Sequence, residues 1–227
     1  MKRIFTAIFF LLIGISANAQ INELGIFLGG SNYIGDVGPT TYIAPKDLSF
    51  GILYKWNRSI RHSYRFSYTQ AKITSNDLDS DSPSREKRGY RFENEIKELS
   101  AGLEFNFFDF NLHESGVLFT PYMHTGLSFL RYDELYVLDG QTKIDKSSYS
   151  LAIPMTLGIK TRIADKFVLG LESGVRYSFT DNLDGSNPKN NDFASLKFGN
   201  LNSNDWYVFT GVTLTYTFGQ NPCYCAE

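Results

Sequence analysis

The sequence is poor in cysteine and histidine, has no surplus of positive charge, and contains no long apolar run beyond its first residues. Its two cysteines, Cys223 and Cys225, stand together in a Cys-Tyr-Cys tail, with too few neighbouring ligands and no nearby histidine to hold a metal. Histidine occurs three times, as His62, His113 and His124. No nucleophile-elbow, zinc-protease or phosphate-loop motif lies where a strand or helix would support it. The chain carries 22 basic and 24 acidic side chains, a net charge of −2, and becomes two units more negative without Lys2 and Arg3. That balance argues against a nucleic-acid partner, which calls for a basic stripe. After the N-terminal segment no run of about 20 apolar residues exists, which excludes helical membrane spans.

Aromatic residues and glycine are abundant: 19 Phe, 14 Tyr, 2 Trp and 19 Gly. At the N-terminus, Lys2 and Arg3 precede the apolar stretch Ile4 to Ile15, and Ala17-Asn18-Ala19 supplies small residues at the positions a signal peptidase reads. Residues 1–19 therefore read as a signal peptide cleaved before Gln20; the apolar stretch is too short for a spanning helix. Residues 20–218 read as one domain, followed by a tail at 219–227.

Eight segments alternate between apolar and polar residues with the two-residue period of a strand. They are 22–31, 48–57, 61–69, 96–107, 118–132, 149–162, 166–180 and 205–218. In the second, Leu48, Phe50, Ile52, Tyr54 and Trp56 oppose Ser49, Gly51, Lys55 and Asn57; in the sixth, Leu151, Ile153, Met155, Leu157 and Ile159 oppose Ala152, Pro154, Thr156, Gly158 and Lys160. Phe27 and Leu53 break the alternation. Long connectors are expected after the first, third, fifth and seventh segments, and shorter ones after the second, fourth and sixth. Such an asymmetry belongs to outer-membrane barrels, with short periplasmic turns and long extracellular loops. The expected fold is all-β: an eight-stranded antiparallel up-and-down transmembrane β-barrel in the cell outer membrane, in contact with its lipid.

The apolar rows carry no charge in their central stretches, so they are expected to face hydrocarbon. The other rows collect Gly, Ser, Thr and charges of both signs. Eight strands leave an interior only wide enough for side chains, and a buried charge there must be paired. Glu23, Glu98, Glu104 and Glu172 are accordingly expected inside with Lys55, Arg65, Lys160 and Arg176, as a polar ion-paired plug rather than an ion path or a catalytic carboxylate pair. Trp56, Tyr54, Tyr64, Tyr177, Trp206 and Tyr216 sit where interfacial aromatic girdles belong. His124 with Ser128 is the only pairing that suggests catalysis, but strand residues four apart are about 13 Å from one another, and an ordinary lumen histidine fits better. Asp77, Asp79 and Asp81 lack the glycine and distal glutamate of a calcium loop and read as a solvated surface loop. Nothing in the sequence calls for a cofactor, a metal, a small-molecule substrate or an enzymatic site. For Cys223 and Cys225 three states remain open: an internal strained loop, a disulfide to a partner protein, or free thiols.

The segment Glu23-Leu-Gly-Ile-Phe-Leu-Gly-Gly-Ser-Asn-Tyr-Ile-Gly-Asp-Val-Gly38 resembles the start of the PorG family of Bacteroidetes. Tyr54-Lys-Trp-Asn-Arg58, Arg61 and the ending Thr217-Phe-Gly-Gln-Asn-Pro-Cys-Tyr-Cys225 continue the resemblance. It implies an outer-membrane component of the type IX protein secretion system, associated with the periplasmic ring of PorK and PorN and, in gliding relatives, serving gliding motility. An eight-stranded barrel is too narrow to conduct folded cargo, so the role expected is anchoring or scaffolding. The docking surface would then comprise Asn57 to Ile60, Phe108 to Gly116, Ala164 to Lys166 and Gly219 to Glu227. The competing readings are a generic OmpA-like barrel that binds or anchors at the surface, and a lipid-modifying enzyme.

Overall fold

A computed structural model describes residues 21–113, 116 and 118–219. The predicted signal peptide and the pair Cys223 and Cys225 lie outside the described residues. Eight antiparallel strands form one closed ring in chain order: β1 (Asn22–Ile34), β2 (Asp47–Asn57), β3 (His62–Asn76), β4 (Arg91–Asn106), β5 (Phe119–Leu138), β6 (Gln141–Ala164), β7 (Phe167–Ser178) and β8 (Trp206–Phe218). The ring closes between β1 and β8, in register from Asn22↔Phe218 to Ile34↔Trp206, so no edge is left along that seam.

Parity decides which way each side chain points. Along β2 and β6 the apolar rows named above face outward, Leu48 being 76% and Leu157 66% exposed, whereas Ser49, Lys55, Asn57, Ala152 and Lys160 are buried. A soluble barrel has the opposite polarity; this wall is built for hydrocarbon, where only a closed ring of strands or a helix satisfies its own backbone. Aromatic pairs band both ends of the wall. Trp56–Tyr64 and Phe167–Tyr216 lie at the turn end, with ring centroids 5.4 and 5.5 Å apart. Tyr177–Trp206 and Phe129–Tyr149 lie toward the loop end, at 4.9 and 5.4 Å.

The connectors differ from expectation on the loop side. Loop 1 spans 35–46 and loop 4 spans 179–205, but β3 and β4 continue to Asn76 and Arg91, shortening loop 2 to 77–90. The third connector is no long loop: β5 and β6 run on as one tall hairpin to Leu138↔Gln141. Its tip is the two-residue turn Asp139-Gly140, with φ of 54° and 73°, the left-handed pair that matches hairpin twist. The alternation weakens there because the hairpin stands beyond the wall, where its outward residues no longer meet hydrocarbon while Tyr132, Leu135 and Val137 stay buried, and the backbone ladder continues.

β4 and β5 pair only as far as Lys97↔Arg131. Above that point β4 stays with β3 and β5 stays with β6. The gap is bridged by the Asn94 amide, which donates to the Asp133 carbonyl at 2.8 Å and accepts the Asp133 N–H at 3.1 Å.

Candidate functional site

Two layers fill the bore. The lower one, toward the turns, is polar. All eight charged residues expected inside are buried. β4 carries Glu104 inward, where Lys55 from β2 and Lys160 from β6 approach it to 2.8 and 2.6 Å, with Arg65 from β3 at 3.6 Å. Arg65 makes a forked contact with Glu172 of β7, at 2.7 Å on each nitrogen, and the Tyr122 hydroxyl donates to the same carboxylate at 2.5 Å. Higher up, Glu98 accepts from the Tyr207 hydroxyl at 2.6 Å and faces Arg176 at 3.6 Å, whose guanidinium lies 4.3 Å from the Phe209 ring centroid. Glu23 differs from the rest. Among the described residues it has no ion pair, and it accepts instead from the Asn57 amide at 2.8 Å and the Thr215 hydroxyl at 2.6 Å.

The upper layer corrects the expectation of a wholly polar interior. Phe27, Leu53, Ile73, Ile96, Leu130, Tyr132, Phe209 and Tyr207 form an apolar core within the bore, joined by Tyr33, Val37, Phe92, Leu135 and Leu183 from the loop end. Phe27 and Leu53, the two exceptions to the alternation, are part of this core rather than irregularities. Side chains this large, packed inside a ring of eight strands, leave no continuous polar route.

Both ends are stoppered as well. At the turn end Phe110 is buried, its N–H held by the Ile60 carbonyl at 3.1 Å, with the Lys160 ammonium 4.8 Å from its ring centroid. Part of a segment expected to serve as docking surface thus reaches back into the bore. At the loop end a short 3-10 turn (Asp77–Asp79) and helix α1 (Pro83–Arg88) fold over the mouth. Asp77 is fully buried, not solvated. It accepts two bonds from Arg88, at 2.7 and 2.8 Å, and the N–H groups of Gly38 and Tyr90 at 2.9 and 3.0 Å. Burial pushes its carboxyl up, but Arg88 and the two N–H donors outweigh that and hold it below the usual range. Arg88 also donates to the Asp36 carbonyl at 2.6 Å and stacks between Tyr90 and Phe198, so one residue ties loops 1, 2 and 4 together.

His124 and Ser128 both point into the bore, not toward lipid, and the His124 Nε2 and the Ser128 hydroxyl have no hydrogen-bond partner among the described residues. A lipid substrate in the surrounding bilayer does not meet them. Among the described residues no group of three or more His, Cys, Asp or Glu side chains is arranged to hold a metal ion. The stoppers Phe110, Leu183 and Arg88 escaped the reading of the sequence because each lies in a connector, where no periodicity marks which side chains turn inward.

A family model described as a domain of unknown function, DUF6089, matches residues 2–227. No curated protein matches the sequence. Among solved structures the chain is similar to Ail, the attachment invasion locus protein of Yersinia pestis, in complex with the heparin analogue sucrose octasulfate. The identity is 11% over 88% of this chain and 100% of that chain, with a TM-score of 0.48. It is also similar to Neisserial surface protein A, at 12% identity over 88% and 98% of the two chains and a TM-score of 0.48. For the outer membrane protein OprG from Pseudomonas aeruginosa the values are 9% identity, 90% and 98%, and 0.43. The family match extends over nearly the whole length, and this stoppered eight-stranded barrel belongs to the DUF6089 family.

Proposed function

We propose that the chain is a non-catalytic outer-membrane component of the type IX secretion system, anchoring the periplasmic ring of PorK and PorN. The observation that carries this reading is the filled bore. With Glu104 and its cations below, an apolar core above, Phe110 under one mouth and the Asp77–Arg88 tie over the other, the barrel has nothing to conduct and acts through its end surfaces. The resemblance to the PorG family supplies the system. Its segment 23–38 contributes Glu23 and Phe27 to the interior and Tyr33, Val37 and Gly38 to the cap. Its segment 54–58 and Arg61 lie at the turn end, where Arg61 pairs with Asp109 at 2.6 Å.

In this reading residues 1–19 direct export, the turn end faces the periplasm, and the turns at 58–61, 107–118 and 165–166 together with the tail meet the ring. Affinity purification of the tagged chain from solubilised outer membrane, read by mass spectrometry, should recover PorK and PorN. Removal of residues 219–227 should leave the barrel inserted and weaken that recovery; undiminished recovery would rule out the tail as the contact, Cys223 and Cys225 included. His124→Ala, with folding intact, should leave lipid composition unchanged.

A second reading rests on the tall β5–β6 hairpin and the ordered loops of the opposite end. They suit an OmpA-like barrel that binds or anchors at the cell surface. Purification that recovers no ring protein, together with loss of surface binding on trimming the hairpin, would favour it.

A further inference from the structure

Loop 4 is strapped over the mouth by an arrangement that the ion pairs of the bore do not include. The Tyr33 hydroxyl, at the top of β1, lies between two buried carboxylates of loop 4, Asp184 at 2.7 Å and Asp205 closer still. It also accepts the Asp36 N–H at 3.2 Å. A phenol has one proton to donate. It can serve one carboxylate; the second can bond to it only by carrying a proton of its own and donating to the phenol oxygen. The other oxygens of the pair are engaged by the loop's own backbone: Asp205 accepts the Leu183 N–H and Asp184 the Ser186 N–H, each at 2.8 Å. Among the described residues neither carboxylate has an ion pair.

We propose that Asp184 and Asp205 hold one carboxyl proton between them, in addition to the phenol's own, and work with Tyr33 as a pH-operated latch, loop 4 being fastened while that carboxyl proton is present and released when it is lost. Two adjacent bare carboxylates away from water repel strongly, and no cation is free to offset them. Of the charged groups facing the pair, Asp36 in loop 1 and Asp181 in loop 4 add negative charge. Arg88 of α1 acts on Asp184 at longer range, but its bonds go to Asp77 and the Asp36 carbonyl. Lys197 lies on the exposed side of loop 4, where it acts on Asp181. Lys189 is turned to Tyr132 and Glu134 of β5.

Burial raises the Asp205 carboxyl well above its usual range, and the charge of Asp184 adds to it. Burial raises Asp184 too, against the bonds from Ser186 and Tyr33. Asp181, at the entry to the loop, is pushed up to about 6 by burial. A carboxyl raised in the folded state contributes stability that is complete below its unfolded value, near 3.8, and is lost as pH climbs through the raised one. The latch therefore holds in acid and loosens in alkali. What it frees is Leu183, fully buried in the upper core, whose carbonyl accepts from Asn94 at 2.8 Å.

The full chain reconstituted in lipid vesicles tests this with two independent readouts. Infrared spectroscopy at neutral pH should show a protonated carboxyl band that disappears in Asp184→Asn. Hydrogen exchange at residues 181–186, corrected for the intrinsic base catalysis of exchange, should show opening that rises at least about tenfold from about pH 5 to about pH 9. In Asp184→Asn and in Asp205→Asn that rise should collapse, since an amide carries no titrating proton. Absence of the band from the wild-type protein, or a wild-type rise that persists in either asparagine variant, overturns the latch. The wild-type spectrum decides even if a variant fails to insert.

Discussion

Glu104 is the residue on which the buried charges converge, with two lysines within 2.8 Å and Arg65 beyond them. Replacing it by Gln leaves Lys55 and Lys160 without their ion-pair partner in a buried site, Arg65 retaining Glu172. The expected loss is roughly 3–5 kcal/mol, the range for breaking one member of a buried ion pair, measured by urea unfolding in vesicles. Glu23→Gln provides the control. Its partners are the neutral donors Asn57 and Thr215, so the loss should stay near about 1 kcal/mol, one ordinary hydrogen bond. The sequence shows both residues as polar members of an inward row and cannot tell them apart, because pairing depends on which strand stands across the bore. Asp77 illustrates the same limit. It sits in a run of alternating aspartates that looks solvated, and only the fold brings Arg88 and two backbone donors around it.

At the level of elements, the β5–β6 turn and the β1–β8 seam are two of the places where glycine is required. Gly140 has a φ of 73° with open space around it, so Gly140→Val should cost roughly 1–2 kcal/mol from backbone strain alone. That cost should appear as faster hydrogen exchange confined to the hairpin tip. Gly211 faces Gly29 across the closing seam, and a Cβ built on it would run into the Leu28 carbonyl and the Gly29 Cα. Gly211→Val should therefore hinder ring closure, seen as loss of the heat-modifiable fast band on cold gel electrophoresis. The eight strands were legible because hydrocarbon keeps one face of each free of charge and largely apolar in its central stretch, with Thr125, Ser173 and Thr210 as hydroxyl exceptions. The extra height of β3 to β6 was not, since above the wall the outward faces meet water while the inward ones mix Ile73, Phe92, Leu135 and Val137 with Ser75, Asn94 and Glu134, which blurs the two-residue hydrophobic period. Asp139-Gly140 was the available clue, a hairpin dipeptide hidden among charged neighbours. The Tyr33 latch had none: its carboxylates lie 151 and 172 residues away along the chain.

As a whole molecule the barrel is a filled post. Planar bilayers holding the purified protein should pass no more current than protein-free bilayers; stable unitary steps would contradict the packed interior. The cap over its outer mouth should have a bounded pH range. Asp77, held below its usual range, contributes stability present above its unfolded value and lost as pH falls through the lowered one, whereas Asp184 and Asp205 lose theirs as pH rises. Proteolysis of loop 4 should accordingly be slowest in mild acid and faster on either side. One consequence of the early parting of β4 from β5 concerns orientation. With β5 and β6 rising past their neighbours and held to β4 there by side-chain bonds, those of the Asn94 amide and that of the Thr142 hydroxyl to the Arg91 carbonyl, the rim is lopsided like a jug with a single spout. A neighbour arriving from outside encounters a direction and not a disc, and an epitope grafted between Asp139 and Gly140 would report which way each copy is turned.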